Sequence, residues 1–159
     1  MSMDQIIRDA HVDDIERLSD IAFRSKAHWG YSTQFMEACR EELSVTAEKL
    51  GSDRYQYRVY ESQRCVLGFY ALEQLAVSEV ELEALFVDPA YLGSGVGGRL
   101  LADAIVRAKD SGYSLMTILS DPNAENFYLK AGAERVGYQQ SSSIPDRYLP
   151  RLQVELGSA

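Results

Sequence analysis

Apolar positions along this chain recur with two periods, and the places where one period gives way to the other mark out its elements. Gln5 to Ala10 reads as a short strand. From there Val12, Ile15, Leu18, Ile21 and Ala22 fall on one helical stripe, with Asp13 and Asp14 in the first turn, where carboxylates favour a helix N-terminus. Gly30 breaks that helix inside residues 25–32, SKAHWGYS, which gather His28, Trp29 and Tyr31 in a loop. Ser32 stands where a second helix through Phe35, Met36, Cys39 and Leu43 needs a cap, and residues 46–50 allow one further turn. Residues 55–61 and 65–77 are β-rich and joined by the polar pair Ser62-Gln63, which predicts a hairpin. Gly68 inside its second strand marks a bulge or a close backbone approach.

The most informative stretch is residues 79–101. Val80, Leu82, Ala84 and Phe86 alternate with Glu79, Glu81 and Glu83, predicting a strand with an apolar face and a face of three carboxylates. Asp88-Pro89 ends it, since proline has no N–H to give a ladder. The run Gly93-Ser94-Gly95-Val96-Gly97-Gly98 then opens a helix whose apolar positions include Leu100, Leu101, Ala104, Ile105 and Ala108. One or two glycines suffice for a tight turn, so four in six residues point to close approach of a ligand to backbone N–H groups at a helix N-terminus. Such a site suits an anion, phosphate above all. After Gly112, residues 113–120 form an apolar strand, and a right-handed strand–helix–strand crossover makes it parallel to residues 79–87. Asp121-Pro122 supplies a cap and a first-turn proline for a short helix over 122–131, stopped by Gly132. Two more strands follow, through Val136 and through 152–156, around a loop in which Arg147 is a candidate for holding an anionic group.

Length and charge narrow the classes. At 159 residues the chain suits a single domain, 1–159, with a full core of its own. A net charge of −8 with no basic patch argues against a nucleic-acid partner. Helix N–H groups hold phosphate independently of net charge, so a phosphate-bearing cosubstrate survives that objection. Cys39 and Cys65 are too few and too far apart for a metal knot or a disulfide framework and read as buried free thiols; no metal is expected. Charges in the first 14 residues interrupt any signal-like apolar core, and no apolar run is long enough to span a membrane, which predicts a cytoplasmic protein without a membrane partner. Gly93, Gly95 and Gly98 also fit a dinucleotide-binding spacing, with Asp121 roughly 20 residues on. Against a nicotinamide enzyme, Asp88 to Leu92 separate strand from glycines and only one strand–helix–strand unit is visible.

LFVDP followed by YLGSGVGGRLL resembles motif A of the GNAT superfamily of acetyl-CoA-dependent N-acyltransferases, with Gly95 and Gly97 matching its Gln/Arg-x-x-Gly-x-Gly/Ala pattern. Leu92 stands where that family has Gln or Arg, leaving the backbone amides to hold pyrophosphate alone. DPNAENFYLKAGA is similar to motif B, with Ala124, Tyr128 and Gly132 at the family's spacing, Asp121 at the usual asparagine position and Ala133 at the usual phenylalanine. The resemblance implies an α/β fold: a GNAT-like mixed sheet flanked by helices, antiparallel in its first four strands, with one parallel pair splayed at an acetyl-CoA cleft. It implies acetyl transfer from acetyl-CoA to a primary amine of a small molecule, peptide or protein, by direct attack in a ternary complex. In that reading the loop amides of Gly93, Ser94, Gly95, Val96, Gly97 and Gly98 cradle pyrophosphate, residues 84–87, including Phe86 and Val87, offer backbone bonds to the pantetheine arm, and Asn123 substitutes for the missing asparagine.

A free alkyl amine has a pKa of ~10.4, so acyl transfer near neutral pH requires a base. Glu83 and then Glu81 are the candidates, while the resemblance gives Tyr128 the role of acid to the departing thiolate. His28, Trp29 and Tyr31 are candidates for the acceptor wall, since loops on a rigid scaffold commonly carry recognition. A sensor that binds CoA or acyl-CoA without catalysis needs the loop but neither base nor tyrosine, and a homodimer is compatible with either reading.

Overall fold

The computed structural model describes residues 5–157. In chain order the elements are β1 (Ile6–Asp9), α1 (Ile15–Ala27), α2 (Thr33–Leu43), α3 (Ala47–Leu50), β2 (Tyr55–Ser62), β3 (Cys65–Ala76), β4 (Glu79–Val87), α4 (Val96–Asp110), β5 (Leu115–Leu119), α5 (Glu125–Lys130), β6 (Glu134–Gln140) and β7 (Tyr148–Glu155). The strands form one sheet in the order β1-β2-β3-β4-β5-β7-β6. Strands β1 to β4 pair antiparallel, β4 and β5 pair parallel, and β7 lies antiparallel between β5 and β6. This is the mixed, helix-flanked sheet expected from the motifs. A dinucleotide-binding domain is built from repeated parallel units, and one parallel pair does not provide them.

The helices bury their stripes on opposite faces. Leu100, Leu101, Ala104 and Ala108 of α4 pack with Tyr70, Leu72, Val80 and Met116 on one face. Leu18, Ile21 and Ala22 of α1 join Met36, Cys39 and Leu43 of α2 against Val59, Phe69 and Ala71 on the other. Ser32 caps α2 as expected, its hydroxyl accepting from the Phe35 N–H at 3.0 Å. Of the two cysteines Cys39 is buried, but Cys65 is exposed at the start of β3, so the expectation of two buried thiols holds for one. The β2–β3 turn, Ser62 to Cys65, leaves that position outside both cores.

Strand β4 departs from the simple alternation. Ala84 pairs with Ala71 but Leu82 pairs with Leu72, so Glu83 is an extra residue with no cross-strand partner on β3. A bulge of this kind inverts the side on which later residues fall. Val80 and Leu82 therefore pack under α4, whereas Ala84 and Phe86 turn to the α1–α2 face and Leu85 and Val87 take the α4 side. The expected division into four apolar residues on one face and three glutamates on the other is thus corrected: it holds only as far as Leu82.

Strand β3 carries a second irregularity, where Tyr60 pairs with Gly68 and Glu61 with Val66. The carbonyls freed there are used, since Arg17 of α1 donates to Val66 O at 2.8 Å and Asp88 N–H donates to Leu67 O at 2.8 Å. Both readings of Gly68 hold: it borders this bulge, and a Cβ on it would lie 2.8 Å from the Phe86 carbonyl oxygen and 3.1 Å from Leu100. Gly68→Ala is expected to lower stability by about 1–3 kcal/mol, because backbone and a buried leucine must both shift. Urea unfolding checks this as a lower midpoint with an unchanged slope.

Candidate active site

Pairing between β4 and β5 runs through Glu79–Leu115 and Val80–Met116 and stops at Glu81–Thr117, although β4 continues to Val87. Beyond that point the β5-facing edge of β4 has no ladder partner. A cavity of about 920 Å³ opens in the gap and is lined from both faces of the sheet. On the α4 side its walls are the loop from Tyr91 to Gly98 with Phe127 and Tyr128 of α5; on the α1–α2 side they include Trp29, Tyr57, Phe69, Glu81 and Glu83.

The glycine loop is built as an open cradle. Gly93 and Gly95 have φ of +79° and +91°, and Gly95 is the N-cap of α4. At Gly93, Gly95 and Gly98 a Cβ would meet no atom within 4 Å, so the space before them is free for a ligand. The first N–H of α4 with a backbone acceptor is that of Arg99, bonded to Gly95 O at 3.1 Å. Among the described residues those of Gly95, Val96, Gly97 and Gly98 take none, which is the arrangement that binds a phosphate group. Leu92 is exposed on the cavity wall.

Two aspartates hold the splayed strand ends. Asp88 follows β4 and accepts from Arg17 and Arg24 of α1, each at 2.8 Å, and from Ala90 N–H. Burial alone would raise its pKa, but the Arg24, Ala90 and Arg17 bonds bring it down to about 2. Asp121 follows β5 and receives Lys26 of α1 at 3.0 Å, the Tyr31 hydroxyl at 2.9 Å and the side-chain amide of Asn123 at 2.9 Å. Arg147 in turn donates to the Tyr31 oxygen at 2.8 Å. Burial opposes ionisation here as well, yet the Asn123 N–H and Lys26 lower the Asp121 pKa. One helix therefore grips both ends of the gap.

The predicted residues fall into three groups. Phe86, Val87, Gly93, Gly95, Val96, Gly97, Gly98, Asn123, Tyr128, Glu81, Glu83 and Trp29 all line the one cavity. His28 is exposed with its ring edge-on to Trp29, and Tyr31 stacks on Phe35 at 4.1 Å; neither reaches the cavity wall. Ser94 turns its hydroxyl to Tyr91 O inside the loop, away from the lining. Tyr31 and Asn123 are committed to Asp121, so their polar groups stabilise the strand end. Tyr57, Phe69, Glu42, Glu73 and Lys49 line the same cavity without having been singled out in the sequence. Their signal was the inward face of β2 and β3, the last turn of α2 and the turn before Gly51, which gain meaning only once the sheet is assembled.

Protonation states differ sharply among the carboxylates. Glu83 is pushed up to about 7, chiefly by burial, with Glu73, Glu81 and Glu42 adding to the shift and Lys49 opposing it. Burial and Glu73 also raise Glu81, against Arg151. Burial, with Asp121 behind it, raises the Tyr128 phenol, so it stays protonated at neutral pH. Thr117, paired with Glu81, has a buried hydroxyl without a partner among the described residues. A carboxyl that titrates near 7 in a cleft is suited to proton abstraction, and a phenol held neutral to proton donation.

The family model described as an acetyltransferase (GNAT) domain matches residues 20–143. Among curated protein sequences no relative matches this chain. Among solved structures the chain is similar to the PaiA N-acetyltransferase of Thermoplasma acidophilum in complex with coenzyme A, at 19% identity and TM-score 0.77 over 96% of this chain and 99% of that one. It is also similar to a ribosomal-protein alanine N-acetyltransferase of Escherichia coli, at 17% identity and TM-score 0.73 over 98% and 96%. A third similar structure is yncA of Salmonella typhimurium with acetyl-CoA, at 21% identity and TM-score 0.68 over 98% and 95%. No helix among the described residues is long and apolar enough to cross a membrane.

The Glu83 shift has a consequence for stability. Below its ordinary pKa of 4.5 the carboxyl is neutral in both states; between 4.5 and about 7 the unfolded chain gives up the proton while the native chain keeps it. Its contribution to native stability is therefore full below pH 4.5 and is lost as pH rises through about 7. Glu83→Gln is expected to remove this part of the decline, about 2–3 kcal/mol across that window, in thermal or urea unfolding followed against pH.

Proposed function

We propose, from the premise that this chain belongs to the GNAT acetyltransferase family, that it transfers the acetyl group of acetyl-CoA to a primary amine by direct attack in a ternary complex. The observation that carries this reading is the single cleft that passes through the sheet where β4 and β5 part, with free backbone N–H groups on one side and Glu83 on the other. The cradle fits the pyrophosphate of CoA: it is open, its amides are unpaired, and it begins a helix of 15 residues whose dipole favours an anion. The unpaired edge of β4 past Glu81 suits the amide-bearing pantetheine arm, as a strand suits an added strand.

The bound thioester supplies an activated acyl group. Glu83 takes the proton that an ammonium must lose before its nitrogen can attack, directly or through a water, and its pKa near 7 leaves it partly ionised at neutral pH. Glu81 raises the Glu83 pKa and is the second candidate for the same task. Tyr128 gives its proton to the sulfur as the C–S bond breaks; burial keeps the phenol protonated, and its ring lines the cleft. Backbone N–H groups beside the Glu83 bulge stabilise the negative charge on the acyl oxygen. Trp29 forms part of the acceptor wall, on the opposite side of the sheet from the cradle.

Tyr128→Phe keeps the ring and removes the proton, so kcat should fall by roughly 10²–10⁴ with saturating amine while CoA affinity stays within a few-fold. Stopped-flow measurement of thiol release with a verified acceptor checks this, and unchanged chemistry in the variant removes Tyr128 from the mechanism. At the cradle, Leu92→Arg should tighten CoA binding by about 0.5–1.5 kcal/mol at low salt through a charge-assisted bond to phosphate. Calorimetry at two ionic strengths tests it; an affinity that does not move places that side chain away from the cosubstrate.

A further inference from the structure

The acceptor half of the cleft is charged in a way that folding alone does not account for. Glu42, Glu73, Glu81 and Glu83 all line it, and among the described residues Lys49 is the one cation of its wall that is not already paired with Asp121. Glu73 and Glu81 stand directly opposite each other in the β3–β4 register. Like charges at such positions destabilise a sheet. Glu73 is only 14% exposed and has one salt bridge, to Arg54 at 2.7 Å; Glu81 and Glu83 have none among the described residues. Glu42 stands at the exposed rim, accepting from Ser142.

An independent feature lies between them. Tyr57 is 6% exposed and lines the cleft, and its hydroxyl takes no hydrogen-bond partner among the described residues. Tyr57 pairs with Ala71 of β3, two residues before Glu73, and burial and the charges of Glu83 and Glu73 hold the phenol protonated. The ring is buried while its unpartnered hydroxyl is open to the cavity, which leaves that oxygen free to bond a ligand. With Phe69 and Trp29 the same wall also offers apolar surface to an alkyl chain.

We propose that the acceptor is a linear aliphatic amine carrying a second cationic group, a di- or triamine, whose distal ammonium is held by Glu73, Glu81 and the Tyr57 oxygen while the reacting nitrogen lies at Glu83. This rests on the acetyltransferase reading and adds the substrate class to it. The reacting ammonium passes one proton to Glu83. Its nitrogen then bonds to the acetyl carbon of acetyl-CoA as the C–S bond breaks. Sulfur takes the Tyr128 proton, and the second N–H proton, lost as the amide forms, returns to the phenolate. The distal ammonium keeps its charge throughout. N-acetyl amine, free CoA thiol and one proton leave.

The test compares hexane diamine, hexylamine and aminohexanoate at one pH and low salt, reading thiol release from acetyl-CoA. The diamine should exceed hexylamine in kcat/KM by about tenfold or more, the equivalent of one retained ion pair of about 1.4 kcal/mol, and aminohexanoate should fall below both. The advantage should shrink with added salt. In Glu73→Gln the diamine-to-hexylamine ratio should drop toward one. Equal kcat/KM for diamine and hexylamine overturns the proposal and leaves the transferase standing. Calorimetry of the diamine into the CoA-loaded protein separates the remaining cases. Diamine binding without thiol release from acetyl-CoA retains the cation site and overturns the transfer reaction; absence of diamine binding overturns the cation site.

Discussion

The β4–β5 ladder stops at Glu81–Thr117 because Glu83, the residue after next, is an extra one that turns the strand. Parallel strands joined by a helical crossover ordinarily pair along their shared length, since every unpaired buried N–H or C=O carries a desolvation penalty. Here the penalty is avoided by opening the unpaired edge of β4 onto a cavity. The same bulge that ends the ladder brings Ala84 and Phe86 to the face where the carboxylates stand, so the aperture and the acid group at its edge arise from one backbone event. Gly68 belongs to this constraint: without a Cβ at that position, the Phe86 carbonyl and Leu100 close over β3.

An open gap between two strands needs something to fix its width, and α1 supplies it. Asp88-Pro89 and Asp121-Pro122 end β4 and β5 in the same manner, each aspartate capping a 3₁₀ turn. Each carboxylate is also bound by α1, Asp88 by Arg17 and Arg24, Asp121 by Lys26. Glu83 differs from both by lacking a cation in hydrogen-bond contact, and burial then moves its pKa in the opposite direction. Three carboxyls of similar intrinsic acidity thus take different states: two ionised as struts, one poised to exchange a proton.

Period and punctuation made most of the elements legible in the sequence: the hairpin, the crossover, the cap at Ser32, the glycine cradle and the stop at Gly132 are local facts. The bulge at Glu83 was not legible, because Glu-Ala-Leu-Phe after Leu82 continues the alternation whether or not one residue is skipped. Nor was the cluster around Asp121, whose members Lys26 and Tyr31 come from one segment and Arg147 from another far along the chain, and which meet only in the fold. The 25–32 loop shows the cost of treating a segment as one unit. Helix α1 runs on to Ala27, so Lys26 faces the strand end, Trp29 alone of the three aromatic candidates lines the cleft, and Tyr31 packs on Phe35.

The two halves of the cleft solve opposite electrostatic problems with different materials. A chain of net charge −8 repels phosphate at long range, yet the cradle presents unpaired backbone dipoles, whose effect is confined to the first turn of α4 and is independent of side-chain charge. On the other face, in the acceptor reading proposed above, the acidic surplus draws a cation toward carboxylates whose burial limits screening. In the proposed reaction the sheet keeps these regions apart, since carboxylates placed at the loop would expel pyrophosphate, and N–H groups donating to the Glu83 carboxylate itself would lower its pKa and weaken it as a base. The gap between β4 and β5 lies between the two, and in the proposed reaction it is there that a neutral nitrogen and a neutral thioester meet.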